Sequence, residues 1–123
     1  MNIVDSSGWL EYFSGGLNAN KFEQPLLDIN KLLVPSITIY EVFKVILRES
    51  NENSALQGVA LMKQGKVIDL DAEIAISGAL ISFQNKIPMA DSIILATARK
   101  YDAVVWTQDV DFKNMPKVKY FEK

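Results

Sequence analysis

Short apolar segments alternate with longer segments of helical periodicity along nearly the whole chain, and no other feature limits the possible folds as strongly. The short segments predict strands at residues 3–4, 32–34, 66–68, 103–106 and 118–121. The longer ones predict helices at residues 8–13, 20–31, 37–50, 54–64, 71–84 and 88–100. This alternation favours an α/β fold with a mostly parallel, helix-covered sheet. No linker or internal repeat interrupts the 123 residues, so we expect one domain over residues 1–123.

Two places in this pattern are less regular. Pro25 lies inside the helix predicted over residues 20–31, which indicates a break or a late start there. Residues 108–113 follow the fourth predicted strand and predict a single short helical turn. By contrast, Pro88 stands near the start of the last long helix, where proline is favoured.

The chain contains no histidine and no cysteine, and this absence restricts its chemistry. Catalysis by Ser-His-Asp or Cys-His groups is excluded, as are zinc sites built on imidazole or thiolate. Any metal site must use oxygen ligands, which favours Mg²⁺, Mn²⁺ or Ca²⁺. With 13 basic and 15 acidic residues, the net charge of −2 also excludes a strongly basic domain that coats nucleic acid. Positive charge for binding phosphate would have to be local or supplied by metal.

The sequence also bears on location. The start of the chain has no basic segment followed by a long apolar one, so we expect no signal peptide. No segment approaches the roughly 18 apolar residues that a membrane span requires. Without cysteines there are no disulfides, which is compatible with a reducing cytosol. We therefore expect a cytoplasmic protein with no membrane partner.

Acidic residues follow three of the predicted strands. Asp5 follows the first strand, Glu41 lies in the opening turns of the helix after the second, and Asp109 follows the fourth. The carboxyl ends of parallel strands meet at one edge of a sheet, where open α/β folds place their ligands. These acids should therefore converge on one crevice. Asp91, near the start of a helix, is a weaker fourth member because no clear strand precedes it.

Clustered carboxylates favour a divalent cation, but the same spacing is compatible with purely structural roles. One or two Mg²⁺ ions held this way can activate water and stabilise charge on a phosphoryl group. Alternatively, Asp5 is an ordinary helix N-cap, and Thr38–Glu41 fits a capping box in which Glu41 reaches back to the Thr38 backbone. Asp91 and Asp109 could simply be favourable charges at helix starts. Phosphatase and DNA nuclease activities also remain open, although no Asp-x-Asp pair follows the first strand.

Four segments resemble, in order, the four motifs of PIN domains, and most closely those of VapC-type toxins of toxin–antitoxin pairs. They are MNIVDSS at residues 1–7, TIYE at 38–41, ADSIILATA at 90–98 and TQDVDF at 107–112. The resemblance covers nearly the whole chain. It implies a three-layer α/β/α sandwich and a Mg²⁺- or Mn²⁺-dependent endoribonuclease that forms a homodimer, acts on RNA and is inhibited by an antitoxin protein.

The resemblance also assigns roles to individual residues. Asp5, Glu41 and Asp91 correspond to the core metal ligands, and Asp109 to a fourth catalytic acid that binds a second metal or positions water. Asp111 matches the second acid of the last motif and is either a ligand or a charge at a helix start.

Other residues are candidates for supporting roles. Ser7 and Thr107 are expected to support the ligands or position water. Thr107 matches the small hydroxyl residue of the last motif, and the alternative is that it merely caps the turn. Lys44 and Arg48 lie three and seven residues beyond Glu41, on roughly its helix face, and are candidate contacts to RNA phosphate or else solvated surface charges.

Several apolar and aromatic residues have two interpretations each. Trp9, Tyr12 and Phe13 either stack RNA bases or pack in the core or at a subunit interface. The apolar residues within 42–61 either form the groove that receives an antitoxin helix or belong to the core. The alternative function is a PIN-like module that has lost catalysis and binds RNA or protein.

Overall fold

A five-stranded sheet runs through the centre of the protein. The computed structural model describes residues 1–123, and its strands are β1 (Asn2–Val4), β2 (Leu32–Pro35), β3 (Lys66–Ile68), β4 (Val104–Thr107) and β5 (Val118–Tyr120). The strand order is β3-β2-β1-β4-β5, and every neighbouring pair is parallel. The predicted α/β class with a mostly parallel sheet is therefore confirmed.

Six helices cover this sheet. They are α1 (Ser6–Ser14), α2 (Ala19–Leu27), α3 (Ser36–Glu49), α4 (Glu52–Met62), α5 (Ala72–Asn85) and α6 (Met89–Tyr101). One apolar cluster combines sheet residues with α5 and α6, and a second combines sheet residues with α1 to α4. The helices thus form two layers with the sheet between them, which confirms the three-layer α/β/α sandwich.

The three central strands, β1, β2 and β4, are short but largely buried on both faces. Ile3, Leu33 and Val105 belong to the α5–α6 cluster, whereas their neighbours Val4 and Val34 belong to the cluster on the opposite side. Because successive strand side chains point to opposite faces, a run of consecutive apolar residues fills both cores at once. This is why the strands appear in the sequence as continuous apolar segments.

Most helix boundaries lie within two residues of the predicted ones, and two of the differences have a clear structural description. The helix predicted over residues 20–31 neither breaks nor starts late at Pro25. Instead, α2 ends at Leu27, and Ile29–Lys31 form a separate 3₁₀ turn. The helix predicted from residue 54 begins at Glu52, because the Asn51 side chain accepts a hydrogen bond from the Ser54 amide at 2.8 Å and caps it. None of the six helices is both long and apolar enough to cross a membrane.

The close packing of α1 on the sheet makes Gly8 a sensitive position. A Cβ at Gly8 would lie 2.5 Å from Val4 Cγ1 and 2.8 Å from Phe22 Cε1, and both neighbours are fully buried. At Gly78, in contrast, the nearest atom to a Cβ would be Ile93 Cγ1 at 3.4 Å, an ordinary contact.

We therefore expect Gly8→Ala to lower the free energy of unfolding by about 1–3 kcal/mol through overpacking. Gly78→Ala, in the interior of α5, should be neutral or should raise it by about 0.5–1 kcal/mol, because alanine is the better helix former. Urea unfolding followed by circular dichroism measures both. Equal effects of the two substitutions would contradict this description of the packing around Gly8.

Candidate active site

The carboxyl edge of the sheet brings together acids from four parts of the chain. Val4 pairs with Trp106 in the register of β1 and β4, so Asp5 lies beside Thr107 at the end of both strands. Glu41 is on α3, directly after β2, and Asp91 is in the first turn of α6. Asp109 and Asp111 lie in the short turn after β4. The position of Asp91 shows how a helix that does not follow a strand still delivers an acid to this edge.

Asp5 is buried and well supplied with hydrogen-bond donors. Its carboxylate accepts bonds from Ser7 Oγ at 2.8 and 3.0 Å, from Thr107 Oγ1 at 2.7 Å and from the Gly8 amide at 3.0 Å. It is 2% exposed, and this burial raises its pKa to about 6 in spite of the donors, which lower it. Asp5 is therefore the N-cap of α1 and a member of the acid group at the same time. Ser7 and Thr107 both hold its carboxylate in place.

The pKa of Asp91 is affected by all the other candidate acids. Burial raises its pKa to about 7, with further contributions from the negative charges of Asp109, Asp5, Glu41 and Asp111. The four other candidate acids thus all lie near enough to act on Asp91. We call Asp5, Glu41, Asp91, Asp109 and Asp111 the acid cluster.

Within the acid cluster, Asp91, Asp109 and Asp111 are the most closely grouped. One carboxylate oxygen from each lies within 4.8 Å of the others. The Asp109 amide donates to Thr107 Oγ1 at 2.9 Å, and Asp109 Oδ1 accepts from the Asp111 amide at 3.0 Å. Asp111, the least definite of the candidates from the sequence, therefore lies in this trio. Thr107 connects the trio to Asp5, because its hydroxyl group is hydrogen-bonded both to the Asp109 amide and to the Asp5 carboxylate.

Glu41 is held from another element rather than by its own helix. Ser6 Oγ donates to Glu41 Oε1 at 2.5 Å. The capping-box alternative for Thr38–Glu41 is wrong, because α3 already begins at Ser36 and Thr38 Oγ1 donates to the Pro35 carbonyl at 2.6 Å. Ser6 was part of the first motif, but nothing in the sequence indicated that it would contact Glu41.

The acid cluster has the properties of a site for a hard divalent cation. Every side chain offers carboxylate oxygen, the ligand that Mg²⁺ and Mn²⁺ prefer. None of the four ion pairs in the protein involves these acids, so no lysine or arginine neutralises them. Burial and the neighbouring negative charges together raise the pKa of Asp91, and a bound cation would offset both. The residues therefore fit a metal, and the trio of Asp91, Asp109 and Asp111 could ligate it together.

The candidate phosphate contacts lie on the exposed side of α3. The ammonium of Lys44 lies 5.8 Å from the centre of the Tyr40 ring, and Arg48 pairs with Glu49 at 3.7 Å. Both side chains are at the surface, on the helix that carries Glu41. They are not part of the acid cluster.

The aromatic residues of α1 pack mainly inside the protein. Trp9 is 3% exposed and its ring centre lies 5.6 Å from that of Phe13. A base-stacking role for Trp9 is therefore wrong, because the ring is already buried against the core. Tyr12 and Phe13 are half-buried and pack against the same apolar cluster.

A cleft of about 740 Å³ lies between α1, α3 and α4. Its apolar lining comes from Leu10, Phe13, Val45, Ile46 and Leu61, and Ser7 and Gln108 also line it, beside Asp5 and Asp109. Of the apolar residues within 42–61, Val42 is fully buried in the core, whereas Leu47 and Leu56 are exposed. The core interpretation therefore holds for Val42, whereas the groove interpretation stays a prediction for the residues that line the cleft, such as Ile46 and Leu61.

The two raised pKa values predict how stability depends on pH in metal-free protein. Asp5 and Asp91 have folded-state pKa values of about 6 and 7, above the ordinary 3.8. Their contribution to stability is therefore fully present below about pH 4 and is lost as pH rises through 6 to 7. Asp71 and Asp102, whose pKa values are lowered, act only in the more acidic range.

We expect the metal-free protein to be more stable at pH 5 than at pH 8, and Asp91→Asn to raise the free energy of unfolding at pH 8 by about 1–3 kcal/mol. Urea unfolding at both pH values measures this. The control is Asp28→Asn, which changes an exposed acid outside the cluster and should have no such effect. A stabilisation of the same size in both variants would show that the acid cluster is not under strain.

Comparisons with known proteins agree with this architecture. The family model of the PIN domain matches residues 3–118. No curated protein matches the sequence. One chain of a toxin–antitoxin complex from Klebsiella pneumoniae is 22% identical over 100% of both chains, with a TM-score of 0.83.

Two further solved structures have the same fold at lower identity. VapC20 of Mycobacterium tuberculosis, described as a toxin that cleaves the sarcin–ricin loop, is 14% identical over 96% of this chain and 97% of its own, with a TM-score of 0.78. A chain of DNA-bound VapBC from Salmonella typhimurium is 17% identical over 98% and 96%, with a TM-score of 0.75. The resemblance found in the four motifs is thereby confirmed, and the chain belongs to the PIN domain family.

Proposed function

We propose that this protein is a Mg²⁺- or Mn²⁺-dependent endoribonuclease and the toxin of a VapBC-type toxin–antitoxin pair. The observation that carries the proposal is the acid cluster: five carboxylates at the carboxyl edge of a PIN fold, with no basic side chain to neutralise them. Such a group is unfavourable without a cation and suited to phosphodiester hydrolysis with one.

Each residue of the site has a definite part in this proposal. Asp5, Glu41, Asp91 and Asp109 are the catalytic acids, and together with Asp111 they would hold the metal. A bound divalent ion would polarise the phosphodiester and lower the pKa of water, so that hydroxide is available near neutral pH.

The hydroxyl groups around the acids keep them in position. Ser7 and Thr107 fix the orientation of the Asp5 carboxylate, and Ser6 holds Glu41. Thr107 Oγ1 also accepts a hydrogen bond from the Asp109 amide, so one hydroxyl group joins the two acids that follow β1 and β4. Preorganisation of this kind lowers the cost of arranging ligands when metal and substrate bind.

RNA is the proposed substrate, because the four motifs match VapC-type toxins most closely and a structural neighbour, VapC20, is described as cleaving the sarcin–ricin loop. Lys44 and Arg48 are the proposed phosphate contacts. Lys44 lies about one helical turn after Glu41 on α3 and Arg48 about two turns after it, and both side chains are exposed.

The partners in this proposal are an antitoxin and a second copy of the chain. The cleft between α1, α3 and α4 has an apolar lining suited to an antitoxin helix, and several structural neighbours are toxin–antitoxin complexes. A homodimer is supported by the outer face of α5 and the start of α6, where large apolar side chains are exposed: Ile76, Leu80, Phe83 and Met89.

The proposal predicts cleavage of a structured RNA by the purified protein with Mg²⁺ or Mn²⁺, and none with a chelator. Asp5→Asn and Asp91→Asn should each lower kcat/KM by at least about 100-fold, because a ligand carboxylate is lost. Asp28→Asn is the matched control and should retain full activity. Parallel assays on DNA and on a small phosphoester test the substrate class.

Two results would contradict the proposal. Full activity of both cluster variants would mean that the reaction does not use these acids. A wild-type protein that binds RNA or an antitoxin but never cleaves would identify a PIN-like binding module instead.

The phosphate contacts have a separate test in the salt dependence of RNA binding. Removal of both charges in Lys44→Ala/Arg48→Ala should reduce the slope of log Kd against log salt concentration by about 1.4, because each phosphate contact on a single strand adds about 0.7. The control is Lys31→Ala/Lys66→Ala, which removes two exposed charges at the opposite edge of the sheet. Equal changes of slope in the two double variants would argue against a specific role for α3.

A further inference from the structure

Two buried amide side chains next to the acid cluster form a connection that the proposed function does not use. Asn18 and Gln108 are 6% and 7% exposed. Asn18 Nδ2 donates to Gln108 Oε1 at 3.0 Å and to the Glu122 carbonyl at 3.2 Å. The Glu122 carbonyl can only accept, so the shared atom of Asn18 must be its amide nitrogen and Gln108 must present oxygen. We call this pair the Asn18–Gln108 link.

Asn18 makes this link instead of a helix cap. It stands at the N-cap position of α2, where an asparagine side chain ordinarily accepts a bond from the first turn, yet it makes no such bond. Its backbone amide is itself fixed, donating to Glu11 Oε2 at 2.8 Å. The side chain is therefore committed to the end of β4 and to the C-terminal segment rather than to its own helix.

Gln108 lies between two residues of the candidate active site. Thr107, before it, donates to Asp5, and Asp109, after it, belongs to the trio with Asp91 and Asp111. Along extended backbone successive side chains alternate in direction, so fixing Gln108 on one side helps to fix Thr107 and Asp109 on the other. A second anchor is the Phe121 amide, which donates to the Thr107 carbonyl at 2.8 Å.

We propose that Asn18 and Gln108 are positioning residues for the metal site. They hold the carboxylate of Asp109 at the distance and orientation from Asp91 that metal binding requires. Neither residue is a member of the acid cluster, and the role proposed for both is exerted through Thr107 and Asp109. Loss of the Asn18 amide leaves the buried Gln108 oxygen without its donor, and the segment from Thr107 to Asp109 then moves to find another partner. The ligand geometry loosens although every ligand is still present.

This inference rests on the proposed metal site, and its test measures metal binding rather than RNA cleavage. Mn²⁺ titration by calorimetry gives Kd for the wild type, Asn18→Ala, Gln108→Ala and the double variant. Substitution of groups that orient metal ligands typically weakens binding by about 10–100-fold, and we expect about tenfold here. If the two residues act through one bond, the double variant should be no weaker than either single variant. The matched control is Asn20→Ala, an exposed asparagine of α2 that should bind within about twofold of wild type.

Circular dichroism and urea midpoints establish that each variant is folded at the titration temperature. Should Asn18→Ala not fold, Asn18→Leu takes its place, since it approximately keeps the volume, has no donor and adds no charge. In RNA cleavage, a positioning role lowers kcat while KM stays unchanged.

The outcomes separate this inference from the proposed function. Wild-type affinity in folded Asn18→Ala, or additive losses in the double variant, would overturn the positioning role alone. Absence of saturable Mn²⁺ binding by the wild type would overturn the proposed metal site, and the inference with it.

Discussion

The burial of two carboxylates, with the negative charges of three more acids close by, is the constraint on which the rest of the site depends. Asp5 and Asp91 are nearly inaccessible to water, and both have raised pKa values because burial disfavours the charged form. Three more acids add their charges around Asp91. The fold keeps these groups together although no basic side chain pairs with them. An arrangement that reduces the stability of the metal-free protein at neutral pH is most simply understood as a site for a cation.

The fold maintains this arrangement through strand register and a small number of hydroxyl groups. Pairing of β1 with β4 places Asp5 beside Thr107, and Thr107 then contacts both Asp5 and the Asp109 amide. Ser6, at the start of α1, reaches Glu41 on α3 and so joins the β1 and β2 sides of the edge. The Asn18–Gln108 link supports the same segment from the opposite side. Short parallel strands thus determine the approximate position of each acid, and side-chain hydrogen bonds determine its orientation.

The sequence predicted the parts of this structure that follow from local patterns. Continuous apolar strands and periodic helices were enough for the α/β class, and the carboxyl-edge rule was enough to bring Asp5, Glu41 and Asp109 to one side. Asp91 could not be placed in that way, because α6 follows α5 rather than a strand. Only the resemblance of ADSIILATA to a PIN motif indicated that Asp91 belonged with the others.

The remaining features depend on contacts between residues far apart in the chain. The Thr38–Glu41 pattern matched a capping box, but the fold starts α3 at Ser36 and gives Glu41 a partner 35 residues away. Asn18 lies in a connection with no motif, and its partner Gln108 is 90 residues away. Trp9 could be assigned to the core only once its neighbours were known. Local propensity cannot supply such partners, because they exist only after the sheet has formed.

An anomalous diffraction experiment on crystals grown with Mn²⁺ would show whether the acid cluster holds a divalent cation. We predict a manganese peak at the carboxyl edge of the sheet, ligated by Asp91 and by at least one of Asp5, Asp109 and Asp111. The peak should disappear in crystals of Asp91→Asn. A well-ordered wild-type site with no manganese peak between these carboxylates, at a concentration that saturates other Mn²⁺ enzymes, would show that the acid cluster is not a cation site.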